Sequence, residues 1–261
     1  MVGLVPALLA GPARMTRAGG DLGKADMHLH TLYSDGTASV RAVLDHVESH
    51  TDLDVIAITD HERIDGALRA REIHAAGDYA FEFVVGEEIT TRRGHVLALF
   101  ISRRIPALRP LSETLERIHD QGGLAIAAHP LAPLTPSLGT RSLLTAHGAD
   151  EARQRLDAIE LMNPSAAGRS RQVKRARLNA DVLRLPAVGN SDAHVLEGIG
   201  TAWTWFPGAT ADHYRAAIDA GTTQPGGAFW SNLHNVDVYR RQLGAKARHL
   251  RHTLRPSGEW R

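Results

Sequence analysis

Two histidines, His28 and His30, are separated by a single leucine in a short stretch near the N-terminus. Side chains two residues apart on a β-strand lie on the same face, so a strand here would present both imidazoles together, with Met27 and Leu29 packed on the opposite face. Asp35 follows five residues after His30, within a Ser-Asp-Gly turn sequence. Two imidazoles and a carboxylate are typical ligands of a divalent metal ion, so this stretch predicts one part of a metal site.

The same residue types recur where further predicted strands meet the loops that follow them. They are Asp60, His61, Glu88, His129, Asp192 and His194, whereas His95 begins its strand instead. In a (β/α) barrel the carboxyl ends of the strands form the active face, so these side chains would converge on one pocket. The chain has no cysteine, and any metal ion therefore has to be held by histidine, aspartate and glutamate.

Short apolar strands alternate with helical patterns from position 25 onward. We predict strands at 25–31, 54–59, 81–89, 94–101, 124–128, 158–162, 187–190 and 201–206, and helices beginning after Ser39 and at 66–76, 112–121, 140–146, 169–183 and 210–220. Repeated strand–helix units of this spacing predict a parallel, barrel-like α/β fold. We expect one domain at 25–225, a disordered extension at 1–24 in which Met15 is an alternative start, and a basic tail at 226–261 that is either a surface helix or disordered.

The composition indicates a soluble globular protein. The 30 lysines and arginines nearly balance the 29 aspartates and glutamates, for a formal charge of +1, so no overall positive charge attracts a long polynucleotide. The apolar stretch at 2–10 is shorter than the roughly 20 residues that span a bilayer, and no basic residue precedes it as in a secretory signal. We therefore expect a cytoplasmic protein that does not contact a membrane.

Taken in order, these motifs resemble those of the polymerase and histidinol phosphatase (PHP) superfamily of metal-dependent phosphoesterases. The similar stretches are D-M-H-L-H with S-D-G at 26–36, T-D-H at 59–61, G-E-E-I at 86–89, G-H-V-L at 94–97, A-H-P at 128–130 and S-D-A-H at 191–194. The resemblance implies a distorted seven-stranded (β/α) barrel that binds two or three divalent ions. Its G-x-E-[IV] register selects Glu88 rather than the neighbouring Glu87.

The resemblance also implies a role for each motif residue. His28, His30, Glu88 and Asp192 would hold a first ion; Glu88 would bridge to a second, completed by His95 and His129; Asp35, His61 and His194 would hold a third. Asp26 and Asp60 are expected to support catalysis by orienting imidazoles. A ligand set of nitrogen and oxygen atoms suits Zn²⁺, Mn²⁺ or Fe²⁺, and the residues do not choose among them.

The function implied is hydrolysis of a phosphate ester by a metal-activated water. We expect a small phosphomonoester as substrate, such as a nucleotide or a nucleoside bisphosphate, or the end of a short oligonucleotide; histidinol phosphate stays open. An exonuclease acting on nucleic-acid ends and a non-catalytic PHP metal-binding module are the alternatives. All nine ligand positions are filled, which favours catalysis over the binding module. The oligomeric state is not predicted.

Two further residues are candidate substrate contacts. Asn163 follows a predicted strand and would either contact substrate or form a turn before Pro164. Arg169 begins a basic helical stretch and could bind a substrate phosphate. The competing interpretation, which we favour for the arginines and lysine at 169–175, is a solvated basic face.

Overall fold

The computed structural model of the chain describes residues 22–133 and 135–253. Most of the predicted extension at 1–24 therefore lies outside the described residues, and 22–24 belong to the first strand. Positions 254–261 of the predicted tail lie outside them as well. No helix in the described part of the chain is long and apolar enough to cross a membrane.

Within these described residues, nine strands form one sheet. They are β1 (Leu22–Leu29), β2 (Val55–Ile58), β3 (Glu82–Thr91), β4 (Gly94–Leu99), β5 (Leu124–Ala127), β6 (Ala158–Met162), β7 (Ala187–Gly189), β8 (Ala202–Pro207) and β9 (Gln224–Gly227). Their spatial order is β7-β6-β5-β4-β3-β2-β1-β8-β9. Strands β1, β2 and β3 are parallel to one another, as are β5, β6 and β7, whereas β4 is antiparallel to both its neighbours. Strands β8 and β9 add an antiparallel pair beyond β1.

Helices connect most of these strands. They are α1 (Val40–His50), α2 (Asp65–Ala75), α3 (Leu111–His119), α4 (Thr140–His147), α5 (Ala166–Arg169), α6 (Gln172–Leu178), α7 (Ala211–Ala220) and α8 (Asn232–Thr253). Ser39 caps α1 as predicted, because its side chain accepts a hydrogen bond from the Ala42 amide.

The two ends of the sheet meet and nearly close a barrel. The Gly189 amide in β7 donates to Thr204 Oγ1 in β8 at 3.1 Å, and that hydroxyl donates back to the Gly189 carbonyl. A Cβ at Gly189 would lie 2.5 Å from the Trp203 carbonyl oxygen, so only glycine allows this approach. The predicted fold class, a distorted PHP-type (β/α)7 barrel, is confirmed, with the mixed strand directions as its distortion.

Alternate side chains of the strands pack into two core layers. Ile56 and Ile58 of β2 belong to the layer between the sheet and the helices, whereas Val55 and Ala57 belong to the interior layer, which α7 closes at one end with Tyr214. Such alternation follows from the two-residue period of a strand. The apolar layers leave the opposite end of the barrel to the polar residues.

One expected alternation is wrong. Met27 and Leu29 lie in different core layers, although their spacing predicted the same face. The reason is a register shift in the β1–β2 pairing between Asp26 and Leu29.

The predicted basic helix at 169–183 is also wrong as a single element. Helix α5 ends at Arg169, α6 begins at Gln172, and a π-helical turn occupies Asn179–Leu183. Arg171 between the helices has a φ of 59°, a left-handed conformation that a right-handed α-helix cannot continue through.

Part of the predicted tail packs against the barrel. Trp230, before α8, and Val238, within it, are buried with Val195. The Trp230 indole nitrogen donates to Thr201 Oγ1 at 2.8 Å, next to β8. Strand β9, rich in glycine and proline, was not expected.

Candidate metal centre

All nine predicted ligands meet at the end of the barrel opposite α7. Four overlapping groups of their side chains place possible ligand atoms within 4.8 Å of one another. The groups are His30 with Asp35, His61 and His194; His28 with His30 and Glu88; His28 with His129 and Asp192; and His61 with Glu88 and His95. The strand ends thus bring together residues from positions 28 to 194.

Glu88 and Asp192 lie opposite the first two histidines. Glu88 Oε2 is 3.2 Å from His28 Nε2 and 3.3 Å from His30 Nε2. Asp192 Oδ1 is 3.4 Å and 3.3 Å from the same two nitrogens. A tetrahedral ion with bonds of about 2.0–2.1 Å separates its ligand atoms by about 3.3–3.4 Å. These four atoms therefore have the spacing of ligands around one ion.

The other oxygen of Glu88 contacts a different pair of rings. Glu88 Oε1 lies 2.7 Å from His95 Nδ1 and 3.0 Å from His129 Nε2. A carboxylate with imidazoles on both oxygens has the arrangement expected of a bridge between two ions.

A third set of atoms surrounds Asp35. Its Oδ1 lies 3.0 Å from His194 Nε2 and 3.8 Å from both His61 Nε2 and His30 Nδ1. The second ring nitrogen of His61, Nδ1, lies 3.2 Å from Glu88 Oε2. The rings of His61 and His30 therefore each lie between Asp35 and Glu88, whereas the prediction assigned each histidine to a single ion.

Several of these buried atoms have no hydrogen-bond partner among the described residues. They are His28 Nε2, both ring nitrogens of His30, Glu88 Oε2 and His95 Nδ1. Buried polar atoms without partners cost free energy, and clusters of them at ligand spacing are explained by a cation that the side chains bind. The residues present fit divalent metal ions.

Glu88 and His30 have the charge states that suit cation binding, whereas the pKa values of His28, His129 and His194 are raised because neighbouring carboxylates outweigh burial. Burial alone would raise the pKa of Glu88, but His61 and His95 outweigh it and hold the pKa of this carboxyl well below its usual range. Burial, together with His194, lowers the pKa of His30 to about 3, so its imidazole is neutral. An ionised carboxylate and a neutral imidazole are the forms that bind metal ions.

A glutamate that the sequence reasoning missed orients two of the histidines. Glu160 lies in the middle of β6 and is completely buried. Its Oε1 accepts from His28 Nδ1 at 3.2 Å, with His28 in the Nδ1-protonated form, and from the Asn190 side-chain amide at 3.0 Å. Its Oε2 accepts from the His129 backbone amide at 2.7 Å and from the Asn163 side-chain amide at 3.1 Å. A proton on His28 Nδ1 leaves Nε2 as the atom that faces Glu88. The available signal was a charged residue inside the apolar strand Ala-Ile-Glu-Leu-Met.

Asp60 and Asp26 hold loops rather than the imidazoles we expected them to orient. Asp60 accepts from the amide and the hydroxyl of Thr31 and from the Ser34 hydroxyl, at 2.6–2.7 Å. Asp26 accepts from the Ser191 and Gly200 amides, both at 3.0 Å. Burial raises the pKa of Asp26 to about 6 despite these hydrogen bonds. Each carboxylate fixes a segment that carries ligands.

The two candidate substrate contacts have different surroundings. Asn163 is completely buried: its side-chain amide donates to Glu160 Oε2 and to Asp192 Oδ2, at 3.1 Å and 3.2 Å, and its Oδ1 accepts from Ser165. Of the two alternatives, these contacts agree with the turn before Pro164, because the Ser165 amide also donates to Asn163 Oδ1. A completely buried side chain that binds Glu160 and Asp192 positions ligands and does not fit the substrate contact. Arg169 is exposed, with its guanidinium carbon 5.7 Å from the centre of the Phe229 ring, and a substrate contact there stays a prediction.

Arg175 contradicts the predicted solvated basic face. Its side chain is completely buried, and its guanidinium donates to the carbonyls of Pro130, Leu161 and Gly168 at 2.7–3.2 Å. Pro130 directly follows His129, so the arginine ties the segment after this ligand to β6 and α5.

A family model matches the part of the chain that carries the last two candidate ligands, Asp192 and His194. The model, described as PHP-associated, covers residues 171–223. An uncharacterized protein of Methanocaldococcus jannaschii is 34% identical over 174 residues, which are 62% of this chain and 94% of that protein.

Solved structures show the same barrel. A two-domain protein of Bacteroides vulgatus, described as containing a predicted PHP-like metal-dependent phosphoesterase, aligns with a TM-score of 0.65 and 19% identity over 90% of this chain and 75% of that one. PsfC of Pseudomonas syringae aligns with a TM-score of 0.62 and 19% identity over 87% of this chain and 99% of that one. At 19% identity, these two matches show that the fold is shared and nothing more.

Proposed function

The chain belongs to the PHP superfamily, and on that basis we propose that it is a phosphoesterase that hydrolyses a small phosphomonoester at the cluster around Glu88. The observation that carries the proposal is the pair of Glu88 oxygens. One lies 3.2–3.3 Å from ring nitrogens of His28 and His30, and the other lies 2.7–3.0 Å from ring nitrogens of His95 and His129, so one carboxylate joins two pairs of candidate ligands.

The proposed centre binds two or three ions of Zn²⁺, Mn²⁺ or Fe²⁺. Such ions lower the pKa of a bound water and stabilise negative charge on a phosphate. The residues of the chain supply the positioning: Glu160 sets the protonated nitrogen of His28, and Asp60 and Asp26 fix the segments before Asp35 and Asp192.

Substrate reaches the centre from the side of His61 and Asp192. Their side chains are 21% and 14% exposed, whereas those of His28, His30 and Glu88 are at most 1% exposed. A small phosphomonoester, such as a nucleotide or a nucleoside bisphosphate, suits this partly open side. An exonuclease on nucleic-acid ends is the second candidate, because a cavity lined by Arg92, Arg93 and Arg141 offers positive charge to a nucleic-acid backbone although the net charge is only +1.

The test combines metal analysis with phosphate release. Protein purified without chelator is analysed for metal content and assayed on a panel of nucleotides, nucleoside bisphosphates and short oligonucleotides. We expect two or three ions per chain. Asp192→Ala and His61→Ala should lower activity by more than the roughly 10–100-fold that loss of an outer-shell partner costs.

His147→Ala is the matched control, because His147 is exposed at the end of α4 and belongs to none of the four groups. Metal binding without hydrolysis of any ester would favour the non-catalytic module. Hydrolysis restricted to oligonucleotides, with an affinity that falls steeply as salt rises, would favour the exonuclease. A folded protein that binds no metal would refute the proposal.

A further inference from the structure

A cavity of about 670 Å³, separate from the nine candidate metal ligands, is lined by positively charged residues. Arg92, Arg93 and Arg141 line it, together with the polar residues Ser112, Ser142, Thr145 and Gln154 and the apolar residues Pro110, Leu111, Ala146 and Ala149. Its lining includes no aspartate or glutamate among the described residues, and none of the nine candidate metal ligands. Arginines without competing carboxylates form a surface suited to an anion.

The cavity borders the metal centre along the chain. Arg92 and Arg93 form the turn between β3 and β4, and His95 follows Arg93 by two residues. Two residues span at most about 7 Å, so the turn lies close to this ligand. On the other side, Arg141 lies in the first turn of α4, which follows the segment that begins at His129. His95 and His129 are the two rings that contact Glu88 Oε1, so the arginine turn of the cavity lies near that part of the centre along the chain.

Among the described residues, the three arginines have no carboxylate partner. The arginine ion pairs within the described residues involve other arginines, namely Arg63, Arg69, Arg104, Arg117, Arg153 and Arg241. Three uncompensated charges converge here although the whole chain has a net charge of only +1. The first turn of α4 adds to this field, because it contains no acidic residue and its N-cap, Gly139, has no side chain to bind the free amides.

We propose that this cavity binds a phosphate group in addition to the one processed at the metal centre. Phosphate presents several oxygens to guanidinium groups, which bind them in pairs. The volume lies within the range of about 300–1,000 Å³ found for small-molecule sites, so the phosphate can carry an organic group. The phosphate belongs either to a distal part of the substrate or to a separate ligand. Only the first of these sources rests on the proposed phosphoesterase function.

Calorimetric titration of the metal-loaded, full-length protein with inorganic pyrophosphate tests the site. The informative variant is R93Q/R141Q; Arg92 is left in place because its Nε donates to the Leu108 carbonyl. The control is R71Q/R177Q, which removes the same charge from two exposed arginines outside the cavity.

We expect wild type and control to bind one more pyrophosphate per chain than R93Q/R141Q, or to bind it about tenfold or more tightly. Wild-type binding should also weaken as salt rises. Equal stoichiometry and affinity in R93Q/R141Q and the control, or no pyrophosphate binding to the wild type, would overturn the proposal.

Kinetics distinguish the two sources. If the phosphate is part of the substrate, R93Q/R141Q should lower kcat/KM for a nucleoside bisphosphate about tenfold and leave the matching monophosphate unchanged. If it is a separate ligand, pyrophosphate binding falls while kcat/KM stays the same for both esters. Should the wild type hydrolyse no ester, the phosphoesterase proposal fails, and the calorimetry still decides whether the cavity binds phosphate.

Discussion

Replacing Glu160 by glutamine should weaken metal binding whichever way the new amide turns. Glu160 Oε1 accepts from His28 Nδ1 and from Asn190, and Oε2 accepts from the His129 amide and from Asn163. Glutamine has one oxygen and one NH₂ group, so one of these two positions becomes a donor that faces two donors. Either His28 or His129 then loses its fixed partner.

The size of the effect follows from those contacts. A hydrogen bond to a charged group contributes about 1.5–3 kcal/mol, so the loss of two would cost about 3–6 kcal/mol before the structure relaxes. For metal binding, outer-shell partners of this kind are worth about 10–100-fold in affinity, which is about 1.4–2.7 kcal/mol. We expect Glu160→Gln to remain folded and to bind zinc about 10–100-fold more weakly.

Competition with a fluorescent zinc chelator measures this affinity without reference to activity. Glu151→Gln is the control, since Glu151 is exposed and its side chain caps no helix. If Glu160→Gln keeps the zinc affinity of the control within about threefold while folded, Glu160 does not position the ligands as argued.

Three other results are expected. Arg175→Met leaves three buried carbonyls without their donor, so it should lower the free energy of unfolding in urea by about 3 kcal/mol or more. The control Lys174→Met, at an exposed neighbour, should change it by no more than about 0.5 kcal/mol. Equal urea midpoints for the two variants would contradict this role of Arg175. The hydrogen bond from His119 Nε2 to Asp157 raises the pKa of His119 above its ordinary 6.5, so this stabilisation is complete below pH 6.5 and is lost as pH rises through the folded-state pKa. The stability advantage of wild type over His119→Gln should therefore shrink between about pH 6 and pH 8, and a constant difference would count against the pair. Removal of metal by a chelator should lower Tm, because an ion at about 1,000 times its Kd stabilises the fold by about 4 kcal/mol. Re-addition of zinc should restore the Tm. A Tm that does not change with chelator would show that no structural ion was bound.

Sequence reasoning predicted the strands and the residues at their ends because both signals are local. An apolar, β-branched run such as Val55–Ile58 indicates a buried strand, and a polar residue directly after it must lie at the barrel rim. Parallel strands align their carboxyl ends, so residues as far apart as His28 and His194 could be predicted to meet.

The residues that the sequence did not reveal act through long-range contacts. Arg175 has the spacing of an exposed basic helix, and only the break at Arg171 and the carbonyls of two other segments explain its burial. Asn163 reads as a turn residue before proline, yet its partners, Glu160 and Asp192, come from β6 and from the loop after β7. Which carbonyl or carboxylate a polar side chain meets depends on tertiary packing that no local pattern records.

Backbone strain at two ligands shows why these hidden residues matter. His129 and Asp192 have φ values of 28° and 53°, a region that costs non-glycine residues roughly 1–2 kcal/mol each. Each strained residue is fixed by its neighbours: Glu160 accepts from the His129 amide, and Asn163 donates to Asp192 Oδ2. Asn163 in turn donates to Glu160, so one hydrogen-bond network holds both strained ligands and the protonated nitrogen of His28. Since strain persists only where the surroundings over-determine it, a break in this network at Glu160 should release the backbone and the ligand together.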